Sequence, residues 1–143
     1  MIRRLEREDR HAWQLLWEGY LHFYRGSVSS QDTDSTFARL CDQSSGLMGL
    51  VAVDDDGSVV GLAHLVFHPS TWSSADYCYL EDLFVQPSSR GSGAAGELIE
   101  AVYATADESG CARVYWETQE FNGPARSLYD TVAHRTSFVI YER

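Results

Sequence analysis

The feature that most restricts the fold of this 143-residue chain is a glycine-rich loop between a strand and a helix. The run from Tyr77 to Val85 is rich in aromatic and branched side chains and predicts a strand, which Gln86 to Ser89 end. The loop Arg90 to Gly96 follows, and from Gly93 to about Glu108 apolar residues recur at helical spacing. The backbone N–H groups of such a loop and the positive end of the helix dipole converge on one point. The segment therefore predicts an anion-binding site, to which Arg90 adds a full charge.

The same glycine pattern is compatible with other structures. Glycines also stand before helices for turn geometry alone, and that interpretation stays open. A dinucleotide-binding fingerprint requires a first strand that feeds G-x-G-x-x-G, whereas this loop lies late in the chain. A Walker-type phosphate loop requires a lysine, which Arg90 to Gly96 does not contain.

Strand and helix patterns alternate along the rest of the chain. The segment Asp54 to Ser58 joins two β-rich runs, because Asp and Gly tolerate the positive φ of a hairpin turn. The alternation predicts an α/β fold of three layers, a mixed sheet covered by helices on both faces, in one domain over residues 1–143. The other predicted helices are about 8–24, 32–41 and 123–133, and the other predicted strands are 2–5, 47–53, 59–67, 112–118 and 138–141.

The first predicted helix carries apolar residues at three- and four-residue spacing, which predicts one face toward the core. Trp13, Trp17 and Tyr24 fall off that face. Together with Trp72 they are candidates for the aromatic wall of a pocket that favours cations, although packing or a dimer surface explains them equally well. The predicted core-facing residues are Ala12, Leu15, Leu16, Gly19, Tyr20 and Phe23.

The net charge of −10 repels phosphate backbones, so we expect no nucleic-acid partner. The same charge attracts cationic small molecules, although acidity for solubility alone is an equal explanation. The three cysteines, Cys41, Cys78 and Cys111, are widely spaced and form no metal-type cluster with histidine, so we expect no metal and a reducing cytoplasm. A charged N-terminus and the lack of a long apolar run predict a protein that is neither secreted nor embedded in a membrane.

Two separated segments resemble the GNAT superfamily of N-acetyltransferases. Arg90 to Ala95 is similar to the family's R/Q-x-x-G-x-G/A loop after a central strand, and Asn122 to Tyr129 is similar to its N-x-x-A-x-x-L-Y helix. The order of predicted elements agrees over nearly the whole chain. The tripeptide Leu80 to Asp82 looks most like the diamine, polyamine and thialysine acetyltransferase branch. Val132 to Ser137 departs from the glycine turn of many relatives, so the acceptor wall there is expected to differ.

The resemblance implies that acetyl-CoA is the cofactor and that an acetyl group passes directly to a primary amine. The small cationic amines and polyamines are the acceptors that it favours. The strand end is expected to bind the pantetheine arm through its backbone, the loop to bind the pyrophosphate, and Asn122 to hold the cofactor. The expected cofactor-binding residues are Leu83, Phe84, Val85, Arg90, Gly91, Ser92, Gly93, Ala94, Ala95, Gly96, Asn122 and Tyr129.

Acetyl transfer requires a deprotonated amine and a protonated leaving thiolate. By resemblance, Tyr129 is the acid that gives a proton to the coenzyme A sulfur. Glu81 is the candidate base, because it lies on the strand near the expected acetyl group. Glu81 and Asp82 alternate on a regular strand, so only one faces the cleft, and a β-bulge would exchange them. The substrate-binding candidates are Glu81, Asp82 and Tyr24.

Two alternative functions remain at this stage. One is acetylation of a protein N-terminus or lysine, which a broad acidic groove would favour over a closed pocket. The other is a catalytically idle acyl-CoA-binding domain, which Tyr129 and Glu81 argue against. The resemblance also implies a homodimer that pairs through C-terminal strands, since an open strand edge invites a second copy.

Overall fold

A computed structural model describes all of residues 1–143 and contains four helices and five strands. None of the helices has the length and hydropathy that a bilayer span requires. The helices are α1 (Arg10–Phe23), α2 (Ser30–Cys41), α3 (Ala94–Glu108) and α4 (Gly123–Val132). The strands are β1 (Ile2–Arg4), β2 (Leu47–Val53), β3 (Val59–Ser70), β4 (Ser73–Val85) and β5 (Arg113–Tyr115).

The five strands form one mixed sheet in the order β1-β2-β3-β4-β5. The first four pair as antiparallel neighbours, and β5 pairs parallel to β4. Gly57, at φ +81°, closes the β2–β3 turn, while Asp54 Oδ1 accepts the N–H groups of Asp56 and Ser58. The β3–β4 turn is tighter than the predicted loop over 68–74, because both strands continue almost to Trp72.

Helices cover both faces of the sheet. One buried cluster joins the sheet to α1 and α2, with Trp13, Phe37 and Leu62 among its members. The other joins the opposite face to α3, with Leu98 and Val102 in its centre, and α4 packs at its border. This arrangement confirms the predicted three-layer α/β fold.

The predicted core-facing side of α1 is correct at Leu16 and Tyr20, which pack into the core, but wrong at Leu15 and Phe23. Trp13, Leu16 and Trp17 are the buried residues of this helix, whereas Leu15 and Phe23 are 59% and 51% exposed. Both sets recur at helical spacing, so the periodicity of the sequence fits two faces. The sheet selects the face with the two indole rings, since they bury more apolar area than the alternative.

The predicted closing strand over 138–141 is also wrong within this chain. Phe138, Val139, Ile140 and Tyr141 are 70–92% exposed and form no regular structure. A strand needs a partner edge for its backbone hydrogen bonds, and residues 138–141 do not pair with any strand of this chain. The strand predicted over 112–118 shrinks to three residues for a related reason, because its pairing with β4 ends at Tyr79.

Candidate active site

The end of β4 has one open edge. Strand β5 pairs only with Tyr77, Cys78 and Tyr79, so the residues of β4 beyond Tyr79 have no neighbour on that side. On the other side they continue to pair with β3 as far as Val85. An open edge exposes backbone N–H and C=O groups to which an extended chain can bind as an added strand. Leu83 lies at this edge beside α4, as the predicted pantetheine site requires.

The glycine loop follows directly from that edge. Gly91 and Gly93 have φ values of +84° and +89°, and a Cβ at either position would meet no atom within 4 Å. Gly93 is the N-cap residue of α3 and has no side chain to satisfy the first N–H groups of the helix. The N–H groups of Arg90 and Ser92 are bonded to carbonyl oxygens of the preceding turn, whereas those of Gly91, Gly93, Ala94 and Ala95 have no acceptor in the protein. The unpaired donors lie at a helix N-terminus, which fits a pyrophosphate.

Two predicted cofactor residues also have structural partners inside the protein. Arg90 Nε donates to the carbonyl oxygen of Val85 at 3.1 Å, and its guanidinium lies over the rings of Phe23 and Phe84. Its terminal nitrogens remain for an anion. Asn122 Oδ1 accepts the N–H of Ala125 at 3.3 Å and caps α4, which leaves the NH₂ group of the same side chain for a ligand.

A β-bulge in β4 decides where the two acidic residues point. Leu80 lies opposite Leu65 and Asp82 lies opposite His64, so Glu81 is an extra residue without an opposite partner. Leu80 packs on the α3 side of the sheet. Regular alternation would return Asp82 to that side, but the bulge turns it to the side of α1 and α2. The expectation that only one of the two faces the cleft is therefore wrong, because Glu81 and Asp82 line the same cavity.

A buried hydrogen-bonded chain holds Asp82. Trp13 Nε1 donates to His64 Nε2 at 2.9 Å, and His64 Nδ1 lies 2.9 Å from Asp82 Oδ2. An indole nitrogen only donates, so Nε2 is the unprotonated nitrogen of the imidazole and Nδ1–H donates to the carboxylate. The Asp82 carboxylate is therefore held by a hydrogen bond from His64, whereas the Glu81 carboxylate has no hydrogen-bond partner in the protein.

Glu81 lies between two cavities. The larger, of about 380 Å³, is an open cleft bounded by α1, α2 and the sheet, and its polar lining consists of Thr36, Arg39, His64, Glu81 and Asp82. The smaller is a notch of about 20 Å³ between α1, β4 and α4, lined in part by Tyr20, Tyr24, Glu81, Leu83 and Tyr129. The first volume is typical of small-molecule sites. The second lies at the open edge of β4, where a thioester on the pantetheine arm would end.

The hydroxyl of Tyr129 has no hydrogen-bond partner in the protein, and its ring packs edge-on against Trp116, with centroids 5.4 Å apart. Burial raises the pKa of Tyr129 to about 12, and the neighbouring Tyr24 adds to the increase. The phenol therefore keeps its proton throughout the neutral range and can act as an acid.

The pKa of Glu81 is also raised, and this suits the residue to act as a base rather than an acid. Partial burial raises the pKa of Glu81, and the nearby Asp82 carboxylate raises it further. His64 and Arg39 oppose this shift. A carboxyl group whose pKa is raised is a stronger base once ionised, which suits proton transfer from an amine.

The aromatic candidates separate into three groups. Tyr24 lines the notch beside Tyr129, and Trp17 lines the larger cavity, both as the sequence suggested. Trp13 lies wholly in the core, and Trp72 is 91% exposed at the β3–β4 turn. Neither residue lines either cavity. Sequence patterns did not single out His64 or Arg39. His64 contacts Asp82 only because the register of β3 and β4 places the two residues opposite each other. Arg39 lies on α2, which is distant in sequence from the acidic residues of β4.

Comparisons with known proteins identify the family and the fold of the chain. Residues 11–133 match the model of the acetyltransferase (GNAT) family. The chain is 36% identical over its whole length to the D-amino-acid N-acetyltransferase HPA3 of Saccharomyces cerevisiae, of which it covers 89%. It is 34% identical over 54% of its length to a thialysine N-epsilon-acetyltransferase of Sus scrofa, of which it covers 45%. An aminoglycoside acetyltransferase, AAC(6')-Iy in complex with a bisubstrate analogue, has the same fold, with a TM-score of 0.85, 22% identity and coverage of 100% of this chain and 96% of the other.

Proposed function

Since the chain belongs to the acetyltransferase (GNAT) family and is an N-acetyltransferase that uses acetyl-CoA, we propose that it acetylates the primary amine of a small molecule. One observation carries the proposal: Glu81 lines both the larger cavity and the notch that contains the Tyr129 ring. An amine in the larger cavity would meet an acetyl group in the notch at this residue.

In this mechanism the bound acetyl-CoA supplies an activated thioester. The Glu81 carboxylate accepts a proton from the ammonium form of the acceptor, directly or through a water. Tyr129 donates its phenolic proton to the sulfur as it leaves. The two groups suit these roles because Glu81 has no competing partner, whereas Asp82 is bonded to His64. Leu83 and the glycine loop provide the backbone groups that orient the cofactor.

The shape and charge of the larger cavity support a small acceptor rather than a protein. Its volume of about 380 Å³ suits a compact ligand, and two carboxylates in its wall attract an amine that is cationic in solution. Polyamines and amino acids both meet this description. The named acceptors of the yeast and pig relatives are amino acids.

Replacement of Glu81 by glutamine is expected to lower kcat/KM for the acceptor by about tenfold or more at neutral pH. Glutamine keeps the shape of the side chain but removes its basicity. Because the pKa of Glu81 is raised, wild-type activity should climb with pH as this carboxyl ionises. The variant should recover in alkaline buffer, where free amine is abundant. A kcat/KM profile between about pH 4 and pH 10, which begins near the usual carboxyl pKa, measures both effects.

The matched control is Glu100→Gln, which removes the same charge from the exposed face of α3. Its profile should follow the wild type. Identical profiles for Glu81→Gln and the wild type would exclude Glu81 as the base.

We propose further that two copies of the chain form a homodimer through residues 138–141. This segment exposes four large apolar side chains, and the outer edge of β5 has no strand beside it. Pairing of these groups with a second copy would cover apolar surface and satisfy backbone donors together.

Replacement of both Phe138 and Ile140 by serine is expected to convert this dimer to the 16.1 kDa monomer. Sedimentation velocity at a fixed protein concentration distinguishes the two masses. Trp72→Ser is the control, because it removes a similarly exposed aromatic side chain at the β3–β4 turn, outside residues 138–141. A wild-type protein that sediments as a monomer would overturn the dimer.

A further inference from the structure

Arg39 is an unpaired cation in the wall of the larger cavity. It lies in the last turn of α2, where Nε donates to the carbonyl oxygen of Ser35 and one Nη donates to Thr36 Oγ1, both at 3.3 Å. No carboxylate lies within 4 Å of its guanidinium, although the chain has 21 acidic residues and two of them line the same cavity. Three of the five guanidinium N–H donors therefore have no acceptor in the protein.

The groups around Arg39 add further donors. Thr36 accepts from Arg39, so its own O–H is free to donate, and it lines the cavity beside the guanidinium. The indole N–H of Trp17, another cavity residue, also has no acceptor in the protein, but this nitrogen is buried and is not exposed at the cavity surface. By contrast, Arg3 and Arg10 form ion pairs with Asp9 and Asp34. Arg39 is the arginine that lines this cavity, and it has no ion-pair partner there.

Carboxylates occupy the opposite wall. Glu81 and Asp82 lie on β4, whereas Thr36 and Arg39 lie on α2. One oxygen of Asp82 accepts the hydrogen bond from His64, whereas the Glu81 carboxylate has no hydrogen-bond partner in the protein. A ligand that complements both walls carries a cation at one end and an anion at the other. A polyamine would instead direct a second cation at the Arg39 guanidinium.

We infer that Arg39 and Thr36 form a carboxylate-binding subsite, so that the acceptor is an amino acid. Its carboxylate accepts from the Arg39 guanidinium and the Thr36 hydroxyl, and its amine lies at Glu81. A planar guanidinium suits this task, because two parallel N–H donors match the two oxygens of a carboxylate. This inference rests on the proposed function of the same site. It identifies Arg39 and Thr36 as the residues that favour amines with a carboxylate over other small amines.

Paired acceptors that differ only in the carboxylate provide the test. Thiol release from acetyl-CoA is measured with D-alanine and D-alaninamide, their L forms, lysine and its decarboxylated form cadaverine, and spermidine. The wild type should favour each amino acid over its partner without a carboxylate. In Arg39→Gln, kcat/KM for the amino acids should fall by about ten- to a hundredfold, whereas that for the amides and cadaverine should change little. Arg39→Lys should restore only part of the preference, since a lysine lacks the planar fork.

Arg7→Gln is the matched control, because it removes the same charge from an exposed position outside both cavities. Its acceptor preference should equal that of the wild type. Equal wild-type kcat/KM for acids and amides, an equal loss for both in Arg39→Gln, or a wild-type preference for spermidine would each overturn the carboxylate subsite.

A binding measurement separates this inference from the proposed function. If no amine releases thiol, the proposed acetylation fails. The subsite is then tested by calorimetry with N-acetyl-D-alanine and its amide, which bind without turnover. Arg39→Gln should weaken binding of the acid by about ten- to a hundredfold and leave that of the amide unchanged. Equal affinity of wild type and variant for the acid would overturn the subsite.

Discussion

Replacement of Tyr129 by phenylalanine is expected to lower kcat by about a hundred- to ten-thousandfold, the usual contribution of a positioned acid. The change removes only the hydroxyl, which has no hydrogen-bond partner in the protein, so the ring should keep its packing against Trp116. Affinity for acetyl-CoA should therefore change little. Because the pKa of Tyr129 is about 12, the wild type should show no loss of this acid at any pH below about 10. Single-turnover kinetics measure the chemical step directly.

Tyr103→Phe is the control for this prediction. It removes a hydroxyl that donates to the carbonyl oxygen of Val132 and so ties α3 to the end of α4. We expect it to lower the free energy of unfolding by about 1 kcal/mol and to leave kcat unchanged. Unchanged single-turnover rates in Tyr129→Phe would remove the residue from the proposed mechanism.

Replacement of Gly93 by glutamate should weaken acetyl-CoA binding by about ten- to a thousandfold, because a carboxylate close to the pyrophosphate repels it by about 1–4 kcal/mol. The position faces open space, so the new side chain meets no protein atom within 4 Å. Its φ of +89° strains any residue other than glycine, and this strain must be separated from the charge effect. Calorimetric titration with acetyl-CoA gives the affinity.

Two further variants make that separation. Gly57→Glu introduces the same side chain at φ +81° in the β2–β3 turn, also without a contact within 4 Å, and should bind acetyl-CoA as the wild type does. Gly93→Asn tolerates the left-handed backbone without adding charge and should retain most of the affinity. Undiminished binding by Gly93→Glu would show that the pyrophosphate lies elsewhere.

Local sequence was sufficient for the parts of the site that occupy one continuous segment. The loop Arg90 to Gly96 and the N-terminus of α3 are neighbours in the chain, so their geometry follows from glycine φ values and helix capping. The same holds for α4, where Asn122 and Tyr129 belong to one helix and its cap. The roles of these segments toward the cofactor remain predictions. Tyr129→Phe tests the role of α4, and Gly93→Glu tests the role of the loop.

Parts of the site that depend on strand register could not be predicted in this way. The side to which Asp82 points is set by one unpaired residue in β4, and a slip of one residue reverses every side chain that follows. The bulge also brings Asp82 opposite His64, so the bond between them appears only after β3 and β4 are paired. Its third member, Trp13, was placed on the wrong face, since α1 has apolar residues on more than one side.

The amino-acid sequence by itself determined the order of the elements, the three-layer fold and the strand-loop-helix unit, because these follow from periodicity and from the conformations that glycine permits. Tertiary structure alone decided which face of α1 is buried, how far β5 accompanies β4, and that residues 138–141 do not pair with a strand of this chain. It also decided that Arg39 of α2 and Glu81 of β4 share a cavity. The physical reason is that these features depend on competition between surfaces distant in sequence, whose outcome is set by total burial and by backbone pairing rather than by any local pattern.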